Sequence, residues 1–112
     1  MDVAGTLSGL RAGGTILVDG PEVATRHQDE AEIMSMPATR LALEHIGRPV
    51  PNTALLAAFI VLTELMPLSA LTGALAERFK GVVLDKNLQL VEAAAATVEA
   101  GRWREVMHGA RA

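Results

Sequence analysis

The chain has 112 residues, half of them apolar, and thirteen Asp and Glu against ten Lys and Arg give it a formal charge of −3. Because the two signs are interspersed, no basic stripe suited to nucleic acid forms. The absence of cysteine excludes disulfides, cysteine-ligated zinc or iron–sulfur centres and thiol catalysis within this chain.

Two Phe, one Trp and no Tyr leave a core of Leu, Val, Ile, Ala and Met, suited to helix–helix and helix–sheet packing in one domain spanning 1–112. At the front, residues 2–12 predict a short helix with Asp2 as its N-cap and Leu7 and Leu10 on one side, stopped by Gly13 and Gly14. "TILVD", 15–19, is a continuous apolar run of the kind found in strands buried on both faces of parallel sheets. "TRHQDE", 25–30, reads as an exposed polar connection, and "AEIMSM", 31–36, as a second strand ending before Pro37.

"PATRLALEHIG" predicts a helix of about ten residues closed by Gly47. The next helix starts at Asn52, its N-cap, and has no polar stripe through Leu62, so it is buried all round and needs more partner surface than the rest of the chain obviously supplies. Its apolar run breaks at Thr63 and Glu64, short of the roughly 18–20 residues a bilayer span requires. Met66 is its expected end, with Pro67 opening the following element.

Leu68, Leu71, Leu75 and Phe79 form one helical stripe. Leu84, Leu88, Val91, Ala95 and Val98 form another, on a last helix with Asp85 in or near its first turn. After Gly101 comes a tail whose one large apolar residue is Trp103. Two strands among about five helices do not complete a sheet, so either the strand assignments are wrong or the missing strands lie on sequence absent here.

Few residues suggest chemistry. Asp19 stands at the C-terminal end of a buried strand, where open α/β sheets bind ligands, although an Asp before Gly20 and Pro21 also suits a turn. Asn52 could reach an anionic ligand from the N-terminus of its helix, although capping alone explains it. His27, His45 and His108 lie on three elements without metal-ligand spacing. Ser8, Ser35 and Ser69 lack a nucleophile elbow, and the Gly13–Gly14 pair does not stand between a strand and a helix as a phosphate loop would. No catalytic residue and no metal ligand is assigned.

The segment "MPATRLALEHIGRPVPNTALLAAFIVLTELMPLSALTGALAERFKG", followed by "KNLQLVEAA", resembles the gamma subunit or gamma domain of 2-oxoacid:ferredoxin oxidoreductases, which include the pyruvate, 2-oxoglutarate and indolepyruvate enzymes. The "PATRLA" helix, the helix led by Asn52, the "PLSAL" helix and the Lys86–Asn87 helix start follow the family's order. "LRAGGTILVDG" is similar to the family's turn and strand, and the resemblance covers about residues 5–98.

The resemblance implies an α/β fold: a three-layer Rossmann-like sheet flanked by helices, helix-rich in its C-terminal half. The family's N-terminal strand and "GxGGQG" turn are absent, so these residues match the C-terminal part of the domain. It further implies a cytoplasmic assembly and substrate-access component, inactive alone, of an enzyme that oxidatively decarboxylates a 2-oxoacid and reduces ferredoxin. Alpha and beta subunits are the implied partners, and thiamine diphosphate, iron–sulfur clusters and coenzyme A belong to the holoenzyme, none bound by this chain. Other readings of the same residues are a small helical protein that pairs with a second copy of itself and a nucleotide-binding Rossmann-like fragment.

Overall fold

The computed structural model describes residues 9–12, 14–28 and 31–104. Four strands make one mixed sheet: β1 Gly9–Ala12, β2 Thr15–Asp19, β3 Ala24–Gln28 and β4 Ala31–Met36, in the spatial order β1-β2-β4-β3. The central pair, β2 and β4, is parallel, with Ile16 opposite Ile33 and Val18 opposite Ser35. Both outer strands are antiparallel to their neighbours.

The α/β class holds, and the strand count differs from expectation. Gly9–Ala12, expected as the end of a helix, pairs with Thr15–Val18, and Gly14 lies in the turn of that hairpin instead of stopping a helix. Pairing with the neighbouring strand satisfies the backbone of these residues in place of helical hydrogen bonds. The remainder of that expected helix, residues 2–8, and Gly13 lie outside the described residues. Of the polar segment expected at 25–30, residues 25–27 are exposed as read, but 25–28 belong to β3: an edge strand has one hydrogen-bonded neighbour and carries polar side chains readily.

Four helices follow among the described residues: α1 Ala38–His45, α2 Asn52–Thr63, α3 Leu68–Arg78 and α4 Gly81–Ala96. The last begins four residues before Asp85, so no acidic residue lies in its first turn, and Asn87 is an interior residue whose amide donates to the Val83 carbonyl at 2.8 Å. Pro37, Pro51 and Pro67 occupy the N-cap positions of α1, α2 and α3, and none of the three helices is capped by its own N-cap side chain.

The centre of the fold is α2. Ala54, Leu55, Ala57, Ala58, Phe59, Ile60 and Leu62 are buried, while Leu56, at 38% exposure, and the half-buried Val61 reach solvent. Its neighbours are α1, α3 and α4, with β1 and β2 on the sheet side. Each large apolar side chain so buried contributes on the order of 1.5–3 kcal/mol. The chain therefore supplies the partner surface for this helix itself, contrary to the expectation that it must come from elsewhere.

The C-terminal end of α2 explains two further differences. The helix stops at Thr63, three residues before Met66, because Glu64 turns into the left-handed region with φ 52° while its N–H still bonds Ile60. Thr63 hydroxyl donates to the Phe59 carbonyl and accepts from Leu65 N–H, which completes the turn. The next two carbonyls are claimed by the chain's far end: Gly101 N–H donates to Val61 O at 2.8 Å and Trp103 N–H to Leu62 O at 2.7 Å.

The described start of what reads as a tail, Gly101 to Trp103, is thus tied to the core. Trp103 is 2% exposed and meets the Phe59 ring edge-on, with centroids 6.4 Å apart. Gly101 has φ +78°, and a Cβ there would approach the Glu64 carboxylate to 3.1 Å, so the close passage favours glycine. Among the described residues no helix is long and apolar enough to cross a membrane.

Removing this anchor tests the packing. Trp103→Ala is expected to cost about 3–5 kcal/mol in urea unfolding followed by circular dichroism, with Trp103→Phe costing less because it keeps the ring contact. A loss under about 1 kcal/mol for the alanine variant would place Trp103 outside the core.

Candidate functional site

The sequence singles out the C-terminal end of β2, and the structure shows what Asp19 does there. Its Oδ1 accepts the backbone N–H of Thr39 at 3.0 Å, and its Oδ2 accepts the Thr39 hydroxyl. Thr39 is the second residue of α1, so a carboxylate from the neighbouring strand satisfies a free amide of that helix's first turn and faces the positive end of its dipole. Pro37 cannot supply such a cap.

Around this contact the two parallel strands run close together. Gly20 N–H donates to Met36 O at 3.0 Å, and a Cβ on Gly20 would fall 2.8 Å from that of Ser35. Ser35 hydroxyl donates to Glu22 O at 2.8 Å. Both Asp19 oxygens are engaged in holding β2 to α1, so the contact accounts for the acid without a ligand.

Asn52 lies elsewhere. It is the exposed first residue of α2, and the N-cap position belongs to Pro51, whose carbonyl accepts Leu55 N–H at 2.9 Å. The expected cap by Asn52 is therefore corrected: one position inside the helix, its side chain makes no capping bond. The structure does not bring Asp19 and Asn52 together; the first lies at the start of α1, the second beyond its far end.

A polar cluster not singled out in the sequence forms at Glu32. Its Oε2 accepts Arg102 Nε at 2.7 Å and Trp103 Nε1 at 3.4 Å, and its Oε1 lies 3.8 Å from His27 Nε2. The Glu32 carboxylate, by hydrogen bond and then by charge, holds the Arg102 guanidinium above its ordinary range, and Glu99 adds to this. Period-two alternation places Glu32 on the same strand face as Met34 and Met36, an unusual address for a lone acid. His45 ends α1, and His108 and Ser8 lie outside the described residues. Among the described residues no group of three or more His, Cys, Asp or Glu gathers to hold a metal ion.

What remains open is apolar surface. A groove of about 500 Å³ follows the end of α2, lined by Ile60, Val61, Glu64, Met66, Leu68 and Ala100 among others. Val82 and Val83 at the start of α4 are 67% and 51% exposed, and Leu43 on α1 is 48% exposed. On the sheet, Leu17, Met34 and Met36 face the helical layer and are at most 4% exposed, while Ile16, Val18 and Ile33 on the opposite face are only partly covered. Such surface suits contact with another polypeptide.

Comparison with known proteins places this geometry. The sequence pattern of the family "pyruvate ferredoxin/flavodoxin oxidoreductase" matches residues 2–97. The chain belongs to this family.

Among its relatives, the pyruvate synthase subunit PorC of Methanothermobacter marburgensis is 36% identical over 89 residues, which are 80% of this chain and 49% of the relative. The common gamma subunit of the pyruvate/ketoisovalerate oxidoreductases of Thermococcus kodakarensis is 31% identical over 99 residues, 84% of this chain and 54% of the relative. The crystal structure of the pyruvate oxidoreductase subunit PORC of Thermotoga maritima superposes with a TM-score of 0.66 at 25% identity, covering 80% of this chain and 53% of the other. The chain thus spans about half the length of the family members it matches.

The strand-to-helix clamp yields a contrast. Asp19→Ala should lower stability by about 1–2 kcal/mol, the usual cost of losing a helix cap, whereas Asn52→Ala should change it by less than about 0.5 kcal/mol. Thermal unfolding of the two variants side by side checks this, and equal effects would contradict the assignment of the cap to Asp19.

Proposed function

We propose that the chain serves as a gamma-type component of a 2-oxoacid:ferredoxin oxidoreductase, acting in assembly and substrate access without a reaction centre of its own. The holoenzyme would oxidatively decarboxylate a 2-oxoacid, couple the acyl group to coenzyme A and pass the electrons to ferredoxin. The observation that carries this reading is the family match across residues 2–97, supported by the PORC-like fold. Its partners would be the alpha and beta subunits, and its compartment the cytoplasm.

The donor set bears on where cofactors lie. The chain has no cysteine to ligate an iron–sulfur cluster, and no trio of His, Asp and Glu gathers among the described residues to hold the divalent ion that accompanies a diphosphate. On this reading thiamine diphosphate and the clusters would be held by other subunits. The polar groups that stand out, Asp19 and Glu32, are bonded within the fold, and the exposed apolar residues suit an assembly role.

Affinity purification of the tagged chain from its native source is the test. It should bring down a thiamine-diphosphate-binding subunit and a preparation that reduces methyl viologen when given pyruvate or another 2-oxoacid with coenzyme A. A purified complex lacking any thiamine-diphosphate-binding subunit would overturn the reading, and a self-association product alone would favour the homomeric alternative.

A further inference from the structure

Side chains from two distant parts of the chain converge on one carboxylate. In the sheet register Glu32 lies between Thr15 of β2 and His27 of β3, on the face of β4 that carries the buried Met34 and Met36. Its side chain is only 19% exposed, and Arg102 Nε, Trp103 Nε1 and His27 Nε2 stand 2.7, 3.4 and 3.8 Å from its oxygens. A charge placed so near the core is costly unless it is paired, and Arg102 is the cation that answers it at hydrogen-bond distance. Arg102 belongs to residues 97–104, the strap that also brings Gly101 N–H to Val61 O and Trp103 N–H to Leu62 O.

We propose that the Glu32–Arg102 pair is a charge latch on this strap: residues 97–104 lift from the end of α2 together with its last turn, and the pair sets how often they do. Gly101, at φ +78°, supplies the bend. What the strap covers is apolar. The Trp103 indole lies against the Phe59 ring, and Ala100 lines the groove formed by Ile60, Val61, Leu65, Met66 and Leu68. Lifting therefore joins Phe59 to the open groove and presents a longer apolar surface than the closed form shows. A second ion pair on the strap, Arg104 with Glu64 at 3.4 Å, joins side chains that are both well exposed, and surface pairs of that kind hold little. The latch is thus the Glu32 pair, in keeping with an Arg102 guanidinium held above its ordinary range first by its hydrogen bond to Glu32.

Native-state hydrogen exchange of the full chain, followed against low concentrations of denaturant at low salt, tests this. The amides of Ile60 to Glu64, Gly101 and Trp103 should exchange through one opening that depends less on denaturant than the opening that frees Leu17 and Val91. Exchange of all these amides through the same global unfolding would overturn the strap. In Arg102→Gln and Glu32→Gln the strap opening should become about tenfold more frequent, the factor a charge-assisted hydrogen bond is worth, while Arg104→Gln should change it by less than about twofold. Equal effects of Arg102→Gln and Arg104→Gln would overturn the latch. If neither variant of the pair folds, the unaltered chain decides: sodium chloride at about 1 M, which screens a part-exposed pair, should make the opening more frequent, and an unchanged frequency would overturn the proposal.

Discussion

A helix without a polar side must hide its last carbonyls as well as its side chains. In α2 both requirements fall on the same few residues, because Phe59, Ile60 and Leu62 are buried and the carbonyls of Val61 and Leu62 sit beside them. Water cannot reach such groups cheaply, and a buried carbonyl left without a donor costs about 1–3 kcal/mol. The fold meets this by returning the chain to the same spot some forty residues later, where Gly101 and Trp103 donate their N–H groups and the indole covers the Phe59 ring. The rest follows from that closure: α3 and α4 form the path out and back, and Glu32 on β4 holds Arg102 and Trp103 against the sheet.

This arrangement also accounts for the use of the polar residues. Asp19 joins β2 to α1, Glu32 joins β4 to the segment after α4, and Glu64 pairs with Arg104 at 3.4 Å across the α2 turn. Each is a tie between elements distant in sequence. A component whose acids and bases are occupied in this way is suited to presenting a shaped surface. Membership of the pyruvate ferredoxin/flavodoxin oxidoreductase family supplies the context in which such a surface would be used.

Much of the architecture was legible in periodicity. The apolar run from Ala54, the Leu68–Leu71–Leu75 stripe and the "TILVD" strand appear where the pattern places them, because side-chain burial is a local signal repeated many times. β1 and β3 were not legible: neither carries an apolar run of its own, and each exists through antiparallel pairing with the strand that follows it. Trp103 was named as the one large apolar residue of a tail, but its docking depends on two α2 carbonyls that no sequence pattern reveals. Asp19 was read at the right address, the end of a buried strand, and its partner Thr39 was hidden by a separation of twenty positions. Asn52 was misplaced by one position, since Pro51 already serves as the N-cap.

Native-state hydrogen exchange measures the closure most directly. If the end of α2 and the returning segment form one cooperative unit, the amides of Gly101 and Trp103 exchange at the same rate as those of Ile60 to Glu64, through the same opening. Exchange of Gly101 and Trp103 at the rate of an open loop, while α2 remains protected, would contradict the claim that the segment from Gly101 to Trp103 is part of the core.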